Sequence, residues 1–162
     1  MAEIVLTRVD QRVVHGVICV TWSSKVEATR IIAVDDTSAK NSFLKKIMEA
    51  SSSLVPCSVV TLEQAVSMWK ENQFGEGRIL LIFKTIKDAY QAKLDGLDYK
   101  ELQIGWITAE PQRVRIDSRV NLSKEEVDLL AALEETQDVK INLQYSPQFE
   151  IVYWRDAIKG KF

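Results

Sequence analysis

Histidine and cysteine are scarce in this chain of 162 residues, which contains a single histidine, His15, and two cysteines, Cys19 and Cys57. The cysteines lie 38 positions apart, and no second histidine is available to complete a set of ligands. The sequence therefore predicts neither a zinc site nor a CxxC redox pair, and we expect no bound metal. Both cysteines are expected to be small buried hydrophobic residues.

An excess of positive charge and long apolar segments are absent as well. The 21 basic and 23 acidic residues give a net charge of −2, which excludes a global basic field and predicts no nucleic-acid partner. No apolar run approaches the roughly 20 residues that a membrane-spanning helix needs. The opening residues Met-Ala-Glu-Ile-Val-Leu lack the basic region of a signal peptide, so we expect a cytoplasmic protein.

Domain boundaries are not marked either, because no internal repeat, low-complexity run or linker rich in proline, glycine and serine divides the sequence. We therefore expect one domain over residues 1–162, long enough to bury roughly two thirds of its unfolded surface. Apolar runs typical of strands alternate with helical patterns of about 10 to 15 residues. This alternation predicts an α/β fold with a parallel sheet and helices on both faces.

The predicted strands cover residues 3–8, 30–35, 57–61, 78–84, 102–106 and 139–145, with short extended segments at 114–116 and 119–122. The most apolar of these runs, at 78–84, is typical of a central strand, and the last long one is expected to close the sheet. A helix is predicted over residues 16–24, and others after the N-terminal caps Ser38, Thr61, Thr85 and Ser123. A short terminal helix is expected after Pro147.

The only histidine lies in the segment Arg8-Val-Asp10-Gln-Arg12-Val-Val-His15-Gly16, at the end of the first predicted strand. Residues 9–16 then form the loop that leaves the carboxyl end of that strand, where ligands bind in open α/β sheets. A residue that carries a phosphoryl group needs a neutral imidazole nitrogen, a partner that fixes its tautomer, and donors for the phosphoryl oxygens. This loop can supply each of them, so we predict that His15 accepts a phosphoryl group.

Each neighbour of His15 has a predicted role and an ordinary alternative. Arg8 and Arg12 are predicted to neutralise the phosphoryl oxygens, or else to be solvated loop charges. Asp10 is predicted to pair an arginine or to orient His15, although an aspartate here also suits a turn. Gly16 is predicted to allow a positive φ and close approach of the backbone to phosphate, and the helix behind it would point N–H groups at the anion.

Other polar residues are expected along the same edge of the sheet. Asp35 and Asp36 end the second predicted strand, Lys84 and Thr85 end the fourth, and Gly105 lies in the fifth. They are candidates for the rim of the crevice, where paired carboxylates could hold a metal or act as acid and base. Caps at helix entries and ordinary packing are the alternatives.

The motif Arg8-x-Asp10-x-Arg12-x-x-His15-Gly16, followed by Trp22, resembles the enzyme IIB subunits of the mannose/fructose/sorbose branch of the bacterial phosphoenolpyruvate-dependent sugar phosphotransferase system. This resemblance implies a three-layer α/β/α sandwich with a mostly parallel sheet and an active-site loop after the first strand. It also implies that His15 takes a phosphoryl group from phosphorylated IIA at Nδ1 and delivers it to a sugar moved by the membrane subunits IIC and IID. No cofactor is expected, and family precedent favours a homodimer.

The sequence departs from this family directly after Gly16, where glutamine is common and Val17 stands here. Loss of the amide removes one possible hydrogen bond to the phosphoryl group or the loop, so rate or substrate is expected to change without loss of the acceptor. The segment Val20-Thr-Trp-Ser is most similar to the members for amino sugars such as N-acetylgalactosamine. An amino sugar is therefore a candidate substrate.

Three alternatives use the same residues differently. A histidine phosphatase carries an Arg-His-Gly signature and a second histidine, whereas this chain has Val14 before His15 and no other histidine. A receiver-like module would carry the phosphoryl group on Asp35 or Asp36, as an acyl phosphate. An anion-binding regulatory module would bind phosphate at the loop and never become labelled.

Overall fold

The fold is described by a computed structural model that covers residues 1–162. It contains nine strands: β1 (Glu3–Asp10), β2 (Arg30–Val34), β3 (Cys57–Val60), β4 (Arg78–Phe83), β5 (Glu101–Trp106), β6 (Val114–Arg115), β7 (Asn121–Leu122), β8 (Lys140–Leu143) and β9 (Val152–Tyr153). A π-helical segment (Val17–Trp22) leads directly into the first α-helix. The helices are α1 (Ser23–Lys25), α2 (Asp36–Ala39), α3 (Ser42–Ser51), α4 (Leu62–Asn72), α5 (Ile86–Leu94), α6 (Lys124–Gln137) and α7 (Trp154–Ala157).

Seven of the strands form one sheet, in the order β3-β2-β4-β1-β5-β8-β9. All neighbouring pairs from β3 to β8 are parallel, and only β9 runs antiparallel to its neighbour. Strands β6 and β7 form a separate antiparallel pair. The expected mostly parallel sheet is therefore confirmed. None of the helices combines the length and the apolar character that crossing a membrane requires.

Strand β4 shows how both faces of the sheet are covered. Ile79, Leu81 and Phe83 belong to a core that includes residues of α4, α5, α6 and α7. Leu80 and Ile82 point to the opposite face and belong to a second core with the π-helical segment. All five side chains are fully buried, which explains the continuous apolar run of this strand. The arrangement is the three-layer α/β/α sandwich that the resemblance implies.

The sequence predicts Ser38 as the cap of the helix after β2, and this prediction is wrong. Asp35 caps α2, because its carboxylate accepts hydrogen bonds from the backbone N–H and the hydroxyl of Ser38 at 3.4 and 2.6 Å. Asn41 caps α3 and accepts hydrogen bonds from the N–H groups of Phe43 and Leu44, both at 3.1 Å. A carboxylate at the end of the strand is the stronger acceptor, so Ser38 lies inside the first turn as a donor.

The predicted strand at 139–145 does not close the sheet. Residues from the tail add β9 beyond β8, where Asn142 lies opposite Tyr153 and Leu143 opposite Val152. Two residues are too few to show the alternation that identifies a strand in a sequence. The short terminal helix expected after Pro147 is present as α7, whose first residue, Trp154, is fully buried.

Candidate functional site

The loop that carries His15 leaves the sheet at the carboxyl end of β1, a strand that lies between β4 and β5. The backbone turns at Val13, whose N–H donates to the carbonyl of Asp10 at 3.0 Å and whose φ is +59°. A left-handed conformation is strained for a β-branched residue, and burial of the Val13 side chain holds it there. Gly16 has a φ of −57°, so the positive φ predicted for this glycine is wrong.

The carboxylate of Asp10 is the centre of the site. Its Oδ2 atom accepts hydrogen bonds from Nη2 of Arg8 at 3.2 Å, Nη2 of Arg12 at 3.1 Å and Nε2 of His15 at 3.1 Å. Its Oδ1 atom accepts from the backbone N–H of Arg12 at 3.0 Å. Burial acts to raise the pKa of Asp10, but hydrogen bonds from His15 and Arg12 and the charge of Arg8 outweigh it and lower the pKa to about 2. Asp10 is therefore ionised at neutral pH and serves as both turn residue and ion-pair partner.

The hydrogen bonds of the His15 ring define its tautomer. An ionised carboxylate only accepts hydrogen bonds, so Nε2 of His15 carries the ring proton and donates it to Asp10. On the other side of the ring, the backbone N–H of Val17 points at Nδ1 over 3.3 Å. Nδ1 therefore holds a lone pair, and the His15 side chain is 17 % exposed. The neutral ring presents Nδ1 as its nucleophilic atom.

The backbone N–H groups at the start of the π-helical segment do not all point at an anion site, although the sequence predicts this for the helix after Gly16. The N–H groups of Ile18 and Cys19 both donate to the carbonyl of His15, at 3.0 and 2.8 Å. They are therefore not free to bind an anion, and the N–H of Val17 is the one that faces the imidazole. The wide turn of a π-helix is frequent at functional sites, and here it follows directly on the proposed acceptor.

Arg8 is fully buried beneath the loop, which excludes direct contact with an incoming phosphoryl group. Besides Asp10, its guanidinium donates to Oε1 of Gln103 at 2.5 Å and to the carbonyls of Gln144 and Tyr145 at 2.7 and 2.8 Å. Burial lowers the pKa of Arg8 to about 10, so the group is still charged at neutral pH. The prediction that Arg8 neutralises the phosphoryl oxygens is therefore wrong, as is the alternative of a solvated loop charge, because Arg8 is buried and supports Asp10 from below.

Gly105 makes this buried position possible. A Cβ atom at Gly105 would lie 2.0 Å from Cζ of Arg8 and 2.1 Å from its Nη2. The pairing of β1 with β5 shifts register between Val9 and Asp10, at the level of this glycine. Gly105 therefore lies against the underside of the site and gives the Arg8 guanidinium its space.

Arg12 is the cation that reaches the surface of the site, with its side chain 29 % exposed. Its guanidinium carbon lies 4.3 Å from the ring centroid of Trp106 and 5.3 Å from that of Tyr145. Burial acts to lower the pKa of Arg12, but its hydrogen bonds to Asp10 and Tyr145 raise the pKa above its ordinary value. The aromatic rings and Asp10 hold this charge next to the imidazole.

The other residues predicted at the rim of the crevice make contacts at the starts of helices instead. The Asp35 carboxylate caps α2 and lies 3.7 Å from Nζ of Lys84. Asp36 accepts a hydrogen bond from the N–H of Leu62 at 2.7 Å, and Thr85 caps α5. These contacts are the ordinary alternative weighed for each residue, and they do not bring Asp35, Asp36, Lys84 or Thr85 to His15. No cluster of three or more His, Cys, Asp or Glu side chains that could hold a metal ion is present.

Several residues of the site are not identified by the sequence patterns. Gln103 and Gln144 meet Arg8 only because β5 lies beside β1 and β8 lies on the far side of β5. Tyr145 could have been predicted from its position, since it follows β8 at the same carboxyl edge of the sheet as the His15 loop. Arg119, which stacks on Tyr145, lies between β6 and β7, and no pattern in the sequence connects it with the site.

Comparison with known proteins identifies the family. The family model of the PTS system sorbose subfamily IIB component matches residues 4–161. The sorbose-specific EIIB component of Klebsiella pneumoniae is 24 % identical over 143 residues, 88 % of this chain and 87 % of that protein. The N-acetylgalactosamine-specific phosphotransferase enzyme IIB component 1 of Escherichia coli (strain K12) is 26 % identical over 151 residues, 90 % of this chain and 92 % of that one.

A solved structure agrees over the whole fold. The crystal structure of manxB from Thermoanaerobacter tengcongensis has a TM-score of 0.90 and 30 % sequence identity, and the match covers 100 % of this chain and 98 % of that one. The matched region of the family model includes the loop with His15 and every strand of the main sheet except the start of β1. The chain therefore belongs to the sorbose subfamily of IIB components of the phosphotransferase system, a family of sugar phosphotransferases.

Proposed function

We propose that this chain is a phosphocarrier, which accepts a phosphoryl group from a phosphorylated IIA protein on Nδ1 of His15 and passes it to a sugar during uptake. The observation that carries the proposal is the 3.1 Å hydrogen bond from Nε2 of His15 to Asp10, which keeps the ring proton on Nε2 and leaves Nδ1 unprotonated, facing only the backbone N–H of Val17. The reaction is that of a protein-phosphohistidine-sugar phosphotransferase.

In the first transfer, the Nδ1 lone pair of His15 forms a bond to phosphorus while the bond from phosphorus to the donor imidazole breaks. The His15 ring keeps its Nε2 proton and becomes an imidazolium. The donor ring, an imidazolium before the transfer, departs as neutral imidazole, so one positive charge moves together with the phosphoryl group. The ionised Asp10 stabilises the new cation through a hydrogen bond that already exists in the free protein.

In the second transfer, a sugar hydroxyl oxygen attacks phosphorus and the bond from phosphorus to Nδ1 breaks. His15 returns to the neutral form with its proton on Nε2, and the hydroxyl proton is released to water. We assign Arg12 to the phosphoryl oxygens in both steps, because its guanidinium is partly exposed and shares Asp10 with His15. Phosphoryl transfer depends mainly on such positioning and charge stabilisation. Gly16, which is exposed, lies beside open space, since a Cβ atom there would meet nothing within 4 Å.

The relatives support the partners of this reaction. One of them is the mannose-specific EIIAB component of Escherichia coli (strain K12), 20 % identical over 129 residues, which are 79 % of this chain and 40 % of that protein. Its name joins a IIA and a IIB part, which supports a phosphorylated IIA protein or domain as the donor. We further propose that residues 1–162 act as one cytoplasmic domain that associates peripherally with membrane IIC and IID subunits. A homodimer stays a prediction.

The relatives do not single out one sugar as the substrate. Similar identities of 24 %, 26 % and 26 % connect this chain to components specific for sorbose, fructose and N-acetylgalactosamine. An amino sugar is therefore a proposal that rests on the segment after Val17 alone. Growth of a strain lacking this chain on these three sugars tests it, and loss of growth on N-acetylgalactosamine alone is the expected result.

Labelling tests the function itself. The protein is incubated with phosphoenolpyruvate, the general phosphotransfer proteins and a cognate IIA, and the stability of the protein-bound phosphoryl group is measured. We expect a linkage that is labile in acid and stable in base, which is absent from the variant His15→Gln. A His15→Gln protein that still takes the label contradicts the proposal.

The chemistry of the linkage separates the alternatives. A base-labile acyl phosphate that disappears in Asp36→Asn would favour a receiver-like module, with Asp36 as acceptor. Binding of inorganic phosphate without any label would favour an anion-binding regulatory module. Asp36→Asn is also the matched control for His15→Gln, because Asp36 lies in α2 and has no contact with the His15 loop.

A further inference from the structure

Beside the His15 loop, aromatic rings and guanidinium groups alternate in one continuous stack. The guanidinium carbon of Arg12 lies 4.3 Å from the ring centroid of Trp106 and 5.3 Å from that of Tyr145. The guanidinium carbon of Arg119 lies 4.3 Å from Tyr145 and 4.5 Å from Phe149. The residues come from the loop after β1, the end of β5, the turn before β7 and the segment after β8. Tyr145 therefore connects two cations that are remote in sequence.

Arg119 has no acidic partner in this stack. Its one side-chain hydrogen bond goes from Nη1 to the hydroxyl of Ser118 at 3.1 Å, and no carboxylate lies within ion-pair distance. Asp117 is adjacent, but it accepts from the backbone N–H of Arg119, at 2.7 Å. A guanidinium has five N–H donors, so most donors of this half-buried group are free while the rings fix its position. Such a group is prepared for an anion.

The charge of the site shows which anion it suits. Arg8 and Arg12 contribute two positive charges and Asp10 one negative charge, so the loop with neutral His15 has a net charge of +1. A phosphoryl group carries a charge of roughly −2 at neutral pH. The contacts of Arg12 and Arg119 with the same ring place their guanidinium carbons no more than about 10 Å apart, about the Debye length at 0.1 M ionic strength. Arg119 therefore adds a positive charge that the incoming group experiences.

We propose that Arg119 is a positioning residue for phosphoryl transfer, and that its charge draws the phosphoryl group of the donor protein toward Arg12 and His15. The inference rests on the proposed function of His15. Arg119 acts during the encounter of the two proteins, before any bond forms, so it changes the rate of association and leaves the chemical step to Asp10, Arg12 and His15. Steering of this kind is sensitive to salt, because ions screen it.

The test compares Arg119→Gln with Arg115→Gln. The two arginines flank the same turn, Arg115 being exposed and Arg119 half-buried against the rings, and both substitutions remove one positive charge. Arg115 donates only to the carbonyl of Asp117, at 3.3 Å, and stacks on no aromatic ring, which makes it the matched control. Rapid-quench measurement of phosphoryl transfer from phosphorylated IIA gives the second-order rate constant and the rate at saturating donor.

At low ionic strength, we expect Arg119→Gln to lower the second-order rate constant by about fourfold, the effect of one charge on a doubly charged group roughly 10 Å away in water. The loss should shrink at about 0.5 M salt, should be much smaller in Arg115→Gln and in Arg119→Lys, and should leave the rate at saturating donor unchanged. Equal losses in the two glutamine variants would overturn the inference. A loss that persists at high salt, or that appears at saturating donor, would also overturn it, since it would indicate a structural role.

A second measurement separates this inference from the proposed function. If the wild-type protein takes no label, the function of His15 is wrong, and inorganic phosphate then serves as the probe. Phosphate is titrated into the wild type and both glutamine variants while the backbone N–H resonances of Arg12 and Val17 are followed by NMR. Severalfold weaker binding in Arg119→Gln alone supports Arg119 as part of the anion site. Equal affinities in all three proteins contradict it.

Discussion

Replacement of Gly105 by alanine should disrupt the support of the His15 loop without touching the loop itself. The new Cβ atom would lie between 2.0 and 2.4 Å from Cζ, Nη2 and Nε of Arg8, distances that no pair of non-bonded atoms tolerates. Arg8 is fully buried, and its guanidinium is bonded to two side chains and two carbonyls. The guanidinium must therefore move by more than an ångström in a place that offers no water to replace its partners.

The cost follows from what Arg8 loses. Overpacking of a core costs about 1–3 kcal/mol, and each buried donor or acceptor left without a partner adds about 1–3 kcal/mol. Separating a buried ion pair, here that of Arg8 with Asp10, costs about 3–5 kcal/mol. Because these effects share atoms, we expect Gly105→Ala to lower the free energy of unfolding by about 3–5 kcal/mol. For a chain of this length, the melting temperature should fall by roughly 6 to 20 °C.

Urea and thermal unfolding, followed by circular dichroism, measure this loss. Gly16→Ala is the matched control, because a Cβ atom at Gly16 meets nothing within 4 Å and its φ of −57° suits alanine. That variant should be as stable as the wild type, or more stable by up to about 1 kcal/mol. If Gly105→Ala were as stable as Gly16→Ala, the close approach of Arg8 to β5 would be wrong, and with it the account of how Asp10 is held.

Four further predictions concern individual residues of the site. Arg12→Ala should slow phosphoryl transfer by about 10²- to 10³-fold in rapid-quench experiments with little change in melting temperature, since it removes charge stabilisation; an unchanged rate contradicts this role. The pKa of Asp10 is lowered to about 2, so its contribution to stability is fully present above its ordinary value of 3.8 and is lost as the pH falls toward 2. Urea unfolding in this acid range should therefore depend less on pH in Asp10→Asn than in the wild type. Tyr145→Phe should keep the transfer rate because its hydroxyl contact with Arg12 is long, at 3.5 Å, whereas Tyr145→Ala should lower it by freeing Arg12; equal rates in both variants count against the stack. Val17→Gln should still be labelled on His15, because the contact to Nδ1 comes from the backbone N–H that every residue except proline supplies.

The layered fold can be predicted from the sequence because its determinants are local. The apolar run of β4 predicts a strand buried on both faces, and both faces are covered in the structure. The capping boxes that begin at Thr61 and Ser123 are both formed, with Gln64 and Glu126 as their partners. Errors occur where two local signals compete, as at Asp35 and Ser38, or where an element has only two residues, as in β9.

The site is only partly predictable from the sequence, because its second half depends on contacts between distant strands. The motif places Asp10, Arg12 and His15 in one loop, and their mutual hydrogen bonds follow from that short span. The burial of Arg8 depends on the register of β1 against β5 and on the missing side chain of Gly105. No spacing rule connects Arg8 with the carbonyl of Gln144, 136 residues away. For this reason Arg8, which the motif predicts as a second phosphate ligand, is a buried residue that supports Asp10.

In the proposed carrier, Asp10 holds the Nε2 proton of His15 and leaves Nδ1 to carry the phosphoryl group. Long-range ¹H–¹⁵N correlation spectra of the phosphorylated protein, with ¹⁵N-labelled histidine, test it most directly, because His15 is the only histidine and its two ring nitrogens are separately resolved. We expect phosphorus bonded to Nδ1 and a proton retained on Nε2. Phosphorus on Nε2, or a phosphorylated protein whose His15 ring nitrogens are unchanged, would contradict it.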